Sequence, residues 1–259
     1  MTTSSEDLTA IVLAAGLGTR LRPLTDHLPK ALCPVGNRPL IDHALDRVAG
    51  VGDIAVNVHH GRDLLEAHLA RREVHVSIEA ERPLGTAGAI GNLRGWLDGR
   101  PALITNADAW YAGSLERLHD GWDGRRVRLG VVFDPAQADF AGLWRFAGSS
   151  LLPWRWASTL SADPGGLYEL CWSRAEVEGS LDLVPLEGCF IDCGTPRDYW
   201  AANMTWSGGA SVVAPSATIE GEVERSVVWP GAVVGAGERL VEAIRLPDGT
   251  TVYPTSPDG

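Results

Sequence analysis

A doubly wound α/β fold with a mixed, mainly parallel sheet is predicted by three features of the sequence. Short apolar runs alternate with amphipathic stretches from residue 9 to residue 106, the rhythm of consecutive βαβ units. The first run, Thr9-Ala-Ile-Val-Leu-Ala-Ala15, is almost continuously apolar and leads straight into a glycine-rich turn, as suits a parallel strand covered on both faces. From Ser211 to Gly237 the texture changes, and aliphatic and small residues recur about every six positions. That is the hexapeptide spacing of a left-handed β-helix, with a β-hairpin appendage as the alternative.

The elements follow in order. Residues 9–15 are the first strand, and a Gly/Pro-rich loop runs to about residue 37. Residues 39–48 read as a helix, with Pro39 in its first turn and Gly50 past its end. A strand at 53–59 precedes a helix at 62–72 that gathers Leu64, Leu65, His68 and Leu69 on one face. A strand at 74–79, a helix at 86–97 and a strand at 102–106 complete the rhythm. Right-handed crossovers then place binding at the carboxyl ends of the strands. Beyond residue 125 the pattern is mixed: strands at 127–134 and 142–146, a helix at 166–175, a short strand at 189–193 and a closing helix at 196–206. This half completes the sheet and walls the pocket. The organisation expected is a disordered lead (1–8), a main domain (9–207), a short β-helix (208–252) and a disordered tail (253–259). A stub of about two coils is too short to stand alone, so it should lean on the main domain or on another subunit.

Composition narrows the function classes. The 259 residues carry a net charge of −11, which argues against a nucleic-acid-binding scaffold. No apolar run is long enough for a membrane span. The first eight residues lack the basic and apolar regions of a signal peptide. Cys33, Cys171, Cys189 and Cys193 form no Cys-x2-Cys pair and are expected as free buried thiols in a reducing compartment. Together these features point to a cytoplasmic enzyme.

Lys30 is the only lysine, and the other 21 basic residues counted with it are arginines. It ends a dense stretch, Leu13-Ala-Ala-Gly-Leu-Gly-Thr-Arg-Leu-Arg-Pro-Leu-Thr25 followed by Leu28-Pro-Lys-Ala-Leu32. A lysine is a compact, flexible point charge where an arginine is a planar fork, so the exception carries chemical information. The two glycines free backbone N–H groups to approach phosphate oxygens. No Gly-Lys-Ser/Thr closes a Walker loop here, and no third glycine completes a dinucleotide fingerprint.

The whole string, with Pro34-Val and Pro39-Leu-Ile41, closely resembles the signature of the sugar-1-phosphate nucleotidylyltransferases. Three further segments match in order: Glu81-Arg-Pro-Leu-Gly-Thr-Ala-Gly88, Thr105-Asn-Ala-Asp108 and Phe190-Ile-Asp-Cys-Gly-Thr195. The resemblance covers residues 9–205 and implies a Rossmann-like, GT-A-like domain in which a trailing β-helix is common. It also implies NTP and sugar 1-phosphate as substrates and Mg²⁺ as cofactor. No nucleic-acid or membrane partner follows, and self-association through the stub is an expectation.

The site residues implied by the resemblance are these. Arg20 and Lys30 are catalytic, with Arg20 on the β/γ-phosphates and Lys30 on the α-phosphate and incoming sugar phosphate. Leu13, Ala14, Ala15, Gly16, Gly18, Thr19, Gly85 and Thr86 bind the nucleotide. Asn106, Asp108 and Gly148 bind the sugar phosphate, and Asp108 and Asp192 hold the metal. Two hard carboxylates far apart in sequence suit Mg²⁺ against phosphates, and catalysis by positioning and charge neutralisation suits phosphoryl chemistry.

Many members of the family carry a second lysine for the sugar phosphate, and this chain has none. Arg145 or Arg155 is a candidate substitute, unless the metal suffices. The missing lysine leans towards N-acetylmuramate-1-phosphate uridylyltransferases, and the Pro-Leu-Gly-Thr-Ala-Gly string towards mannose-1-phosphate guanylyltransferases, the favoured reading. Another hexose, heptose or alcohol phosphate, or a non-catalytic nucleotide-sugar-binding subunit, are the alternatives. Trp144, Trp154 and Trp156 either stack on a sugar or pack the wall. Of His59 and His60, one should face the pocket and the other pack inward.

Overall fold

The computed structural model describes residues 8–254. Apart from Leu8, Tyr253 and Pro254, the expected lead and tail lie outside the described residues, and Leu8 is buried. The chain forms two compact units that interleave along the sequence: residues 8–16, 43–107 and 111–190, and residues 17–42, 108–110 and 191–254. No helix among the described residues is long and apolar enough to cross a membrane.

The first unit is built on a seven-stranded sheet. Its strands are β1 (Thr9–Leu13), β2 (Ile54–Val58), β3 (His75–Ile78), β4 (Ala102–Asn106), β5 (Val127–Phe133), β6 (Trp144–Leu152) and β7 (Leu181–Pro185), in the order β7-β5-β6-β4-β1-β2-β3. Neighbours run parallel except around β6, which is antiparallel to both β4 and β5. The α/β sheet is therefore mixed and mainly parallel, as the sequence predicts. In register, Leu13 stands opposite Asn57 on one side and Asn106 on the other. Three residues at the carboxyl ends of adjacent strands thus share a row, where ligands of open α/β sheets bind.

The helices are α1 (Leu40–Arg47), α2 (Arg62–Leu69), α3 (Gly85–Asn92) and α4 (Pro196–Trp206), with several single turns between them. Pro39 stands outside α1, in a small hairpin that pairs Pro34–Val35 with Arg38–Pro39. On α2, Leu65 and Leu69 are buried, but Leu64 is exposed and does not share their face. The expected helix 86–97 is interrupted at Leu93, between α3 and a turn at Arg94–Leu97.

Three glycines of α3 let backbone approach closely. A Cβ on Gly85 would come to 2.6 Å from Gly165 O, while one on Gly88 or Gly91 would run into the carbonyl of Asp163 or Ser161. Ala87 N–H donates to Gly165 O at 2.9 Å, and Gly165 N–H donates to Leu84 O at 3.0 Å.

The second half of this unit departs most from expectation. The strand expected at 142–146 spans Trp144–Leu152, because it continues through Gly148-Ser149-Ser150, which carries no apolar signal. Its buried Ser149 hydroxyl pairs with that of Thr105 at 2.9 Å. The helix expected at 166–175 begins later, as a wide π-type turn at Tyr168–Trp172 that continues into Ser173–Val177. Edge strand β7 was not anticipated. Trp156 is buried in the main core, and Trp144 and Trp154 pack partly buried against it, which is the wall-packing alternative. Cys33, Cys171 and Cys193 are buried free thiols, whereas Cys189 is exposed.

The second unit gathers its core from distant segments. Leu21, Leu24, Cys33, Val35 and Leu40 meet Trp110, Cys193, Tyr199 and Ala202, and Val227, Trp229, Ile244 and Leu246 join them from the C-terminal region. There, Val212–Val213 pairs parallel with Val227–Val228, which pairs parallel with Ile244–Arg245. Two more parallel pairs, Thr218–Ile219 with Val233–Val234 and Glu222–Glu224 with Arg239–Val241, follow the same progression. Val228, Ala232, Val234, Leu240 and Ala243 fill the interior. These strands fit a β-helix stub, and it leans on the core of its own unit rather than standing alone.

Candidate active site

Lys30 opens a single tight turn, Lys30–Leu32, after Pro29 in an extended conformation. Its side chain is only 7% exposed. The ammonium donates to Asp108 Oδ2 at 2.9 Å and to Asp192 Oδ1 at 3.3 Å. Burial by itself lowers the Lys30 pKa, but the charges and hydrogen bonds of Asp108 and Asp192 outweigh it, and the net direction is upward from 10.5. Because the folded value lies above the unfolded one, this contribution to stability is complete below the ordinary lysine range and fades as pH rises through the folded pKa. At neutral pH the ammonium is charged.

Each partner is fixed by its own backbone. Asp108 follows β4 in the chain, and its carbonyl accepts the N–H of Cys193 at 3.2 Å. Asp192 precedes α4, whose start is capped by Thr195. The Thr195 hydroxyl accepts Asp198 N–H at 3.2 Å and donates to Asp198 Oδ2 at 2.7 Å, with Pro196 in the first helical turn. Side-chain exposures of 43% for Asp108 and 34% for Asp192 leave carboxylate surface open to a ligand.

Arg20 lies 3.9 Å from Asp192 Oδ2 with 72% of its side chain exposed, a loose ion pair with its guanidinium largely in solvent. Gly194 makes room for it, since a Cβ there would come to 3.0 Å from Arg20 Nη2 and 3.3 Å from Asp192 Oδ2. Gly18 has a positive φ of 64° and packs where a Cβ would press on Thr25 and Lys30. Thr19 is exposed beside Arg20.

A brace on the hairpin that follows the lysine turn was not anticipated from sequence. The Tyr199 hydroxyl of α4 donates to Pro34 O and accepts the indole N–H of Trp229 at 3.0 Å. One turn later, Asn203 accepts Gly36 N–H at 3.0 Å and donates to Tyr199 O at 3.1 Å. Burial drives the Tyr199 phenol well above its usual pKa of 10.0, so it stays a donor. The spacing of Tyr199 and Asn203, one helical turn apart, was the one available signal.

In the first unit, Ala14 and Ala15 are buried beyond β1, whereas Gly16 is exposed and a Cβ there would meet nothing. No protein packing therefore demands glycine at 16. Ala14 N–H donates to Asn57 Oδ1 at 2.8 Å. Gly85, at φ 70°, and Thr86 anchor α3 locally, with the Thr86 hydroxyl accepting Leu167 N–H at 2.8 Å. The Asn106 carbonyl is held by Arg47 at 3.0 Å.

Gly148, at φ 71°, lies where a Cβ would be 3.3 Å from the Phe190 ring and 3.7 Å from Asn106 Cβ. Arg145 covers that same Phe190 ring at 5.4 Å and pairs with Asp134 at 3.5 Å, whereas Arg155 stacks on Trp156. Of the two arginines, Arg145 is the one that shares the Phe190 ring with Gly148. His59 contacts the Glu79 carbonyl through Nδ1 at 2.7 Å.

A family model described as nucleotidyl transferase matches residues 9–137. An N-acetylmuramate α-1-phosphate uridylyltransferase from Caulobacter vibrioides is 33% identical over 228 residues, covering 74% of this chain and 94% of that protein. The chain belongs to the sugar-1-phosphate nucleotidylyltransferases. This transferase is also 30% identical over 225 residues to a mannose-1-phosphate guanyltransferase from Emericella nidulans, covering 73% of the chain but only 62% of the relative. Its fold matches that of a UDP-glucose pyrophosphorylase from Acinetobacter baumanii with a TM-score of 0.61 at 17% identity, over 76% of this chain and 92% of that one. The enzyme transfers a nucleotidyl group to a sugar 1-phosphate.

Tyr199→Phe leaves Pro34 O with only the long 3.5 Å donor Asn203 Nδ2 and the Trp229 N–H without its acceptor. Denaturant unfolding is expected to record a loss of about 1–3 kcal/mol.

Proposed function

We propose that this transferase is a Mg²⁺-dependent uridylyltransferase acting on a sugar 1-phosphate of the N-acetylmuramate type. The observation that carries the metal and phosphate assignment is the buried Lys30 ammonium, 2.9 Å from Asp108 and 3.3 Å from Asp192. The two carboxylates supply hard oxygen donors, and among the described residues no three His, Cys, Asp or Glu side chains converge as a closed metal cage. Two protein carboxylates with the remaining positions left to water and phosphate are what Mg²⁺ accepts. When bound, Mg²⁺ supplies charge neutralisation at the phosphates.

In the reaction, a phosphate oxygen of the sugar 1-phosphate forms a bond to the α-phosphorus of the NTP, and the bond from that phosphorus to the bridging oxygen of pyrophosphate breaks. The attacking oxygen is already anionic, so no general base is required. Lys30 donates hydrogen bonds to the α-phosphate as negative charge builds there. Arg20, exposed and loosely paired, is available to hold the departing pyrophosphate. Leu13 to Gly16 and the segment entering α3 serve the nucleoside.

Support for the uridylyl and N-acetylmuramate reading comes from sequence similarity and charge. The Caulobacter vibrioides uridylyltransferase is 33% identical to this chain, against 30% for the guanyltransferase. N-acetylmuramate carries a carboxylate that mannose, glucose and N-acetylglucosamine lack, and Arg145 offers a guanidinium over the Phe190 ring in a chain without a second lysine.

Pyrophosphate release should be measured for four NTPs against mannose-, glucose-, N-acetylglucosamine- and N-acetylmuramate-1-phosphate, with Mg²⁺ or with EDTA. UTP with N-acetylmuramate-1-phosphate is expected to be fastest, and EDTA to abolish turnover reversibly. A preference for GTP with mannose-1-phosphate would replace the substrate reading. In the same assay Lys30→Ala should lose well over roughly tenfold in kcat and Lys30→Arg should also be impaired, both with native circular dichroism.

A further inference from the structure

Behind the first unit's loop lies a buried polar chain that neither the family motifs nor the phosphate chemistry uses. Ala14 N–H donates to Asn57 Oδ1 at 2.8 Å, Asn57 Nδ2 donates to Glu79 Oε1 at 2.7 Å, and Leu84 N–H donates to Glu79 Oε2 at 2.7 Å. Asn57 and Glu79 are each 3% exposed. A carboxylate buried this deeply is costly unless its oxygens are well bound, and a same-sized apolar pair would fill the space at no such cost. Here both oxygens are bound by neutral N–H donors at short distance.

The ends of the chain are the informative part. One is the backbone amide of Ala14, directly after β1. The other is the amide of Leu84, directly before the positive-φ Gly85 that starts α3. Asn57 is in register with Leu13 on β2, and Glu79 follows β3 with its N–H on Val58 O at 2.9 Å, so the middle of the chain sits on rigid sheet. Each side chain has one direction in which its polarity is satisfied: the amide oxygen must face Ala14, the amide nitrogen must face Glu79, and Glu79 must accept twice.

We infer that Asn57 and Glu79 are positioning residues for the nucleoside triphosphate, a rigid strut that sets the separation of the Ala14–Gly16 turn and the Leu84–Gly85 turn. The inference rests on the proposed assignment of the nucleoside to those two turns. Both residues act through the backbone they hold and neither needs to touch substrate. A shift of about 1 Å in such a frame is enough to cost binding geometry strongly.

The donor–acceptor order gives a test by exchange. Glu79→Gln keeps the shape but has one acceptor, so its –NH2 must face either Asn57 Nδ2–H or Leu84 N–H. The double variant Asn57→Asp with Glu79→Gln restores complementarity: Asp accepts from Ala14 and from the glutamine –NH2, and the glutamine oxygen accepts from Leu84. Calorimetric Kd for the nucleotide that the substrate panel selects, KM for both substrates and Tm should be measured for the three proteins.

The expected result is a rise of roughly tenfold or more in nucleotide Kd and KM for Glu79→Gln. KM for the sugar phosphate and kcat should stay within about twofold, and the double variant should recover nucleotide affinity. Unchanged nucleotide Kd in Glu79→Gln, or a double variant that recovers Tm but not affinity, would overturn the strut alone. A wild-type protein that binds no NTP would instead overturn the nucleoside assignment together with it.

Discussion

Burying an ammonium group is among the most expensive things a folded chain can do, and the second unit is organised around doing it once. Lys30 loses its water and receives Asp108, 78 positions away, and Asp192, 162 positions away. Those separations mean that three distant segments must be held together by bonds of their own. The Cys193–Asp108 backbone bond, the Thr195 cap and the Tyr199–Pro34 contact each fix one of the three segments that must converge. Trp229 ties the C-terminal stub to the same tyrosine, so the β-helix coils are part of the support of the hairpin that follows the lysine turn.

The arrangement also explains why this one position is a lysine in a chain of arginines. A point charge on a flexible stem can face two carboxylates from inside a tight turn. A planar fork would need a wider slot and fixed partners. Arg20 has the complementary character: it is exposed, held by one long ion pair, and Gly194 keeps the space it occupies clear. A buried, strongly held cation and an exposed, loosely held one suit different tasks on a triphosphate.

Much of this was legible in the sequence because it is written in local pattern. The parallel strands β1 to β4 announced themselves as short apolar runs, and Lys30, Asp108 and Asp192 each sit in a compact motif. What stayed hidden is carried by contacts without local pattern. Strand β6 runs through Gly148-Ser149-Ser150, where polar side chains are satisfied across the sheet, so hydrophobicity could not reveal it. Tyr199 and Asn203 bind backbone more than 160 positions away, and Asn57 and Glu79 bind backbone amides whose identity leaves no trace in the sequence. Gly85 was expected as a nucleotide-binding residue, and it shares with Gly88 and Gly91 of α3 a packing need that local pattern does not show, the close approach of residues 161–165.

The lone lysine allows its environment to be observed without interference. Protein grown with lysine labelled with ¹³C at Cε carries a single labelled side chain, and its titration can be followed by NMR. The account predicts a pKa above 10.5, a narrow window of motion for Lys30, and a chemical-shift change on adding Mg²⁺ and NTP. A Lys30 signal that titrates at or below the value of a free lysine, and that ignores Mg²⁺ and NTP, would contradict the claim that its ammonium is held between Asp108 and Asp192 for work on the phosphates.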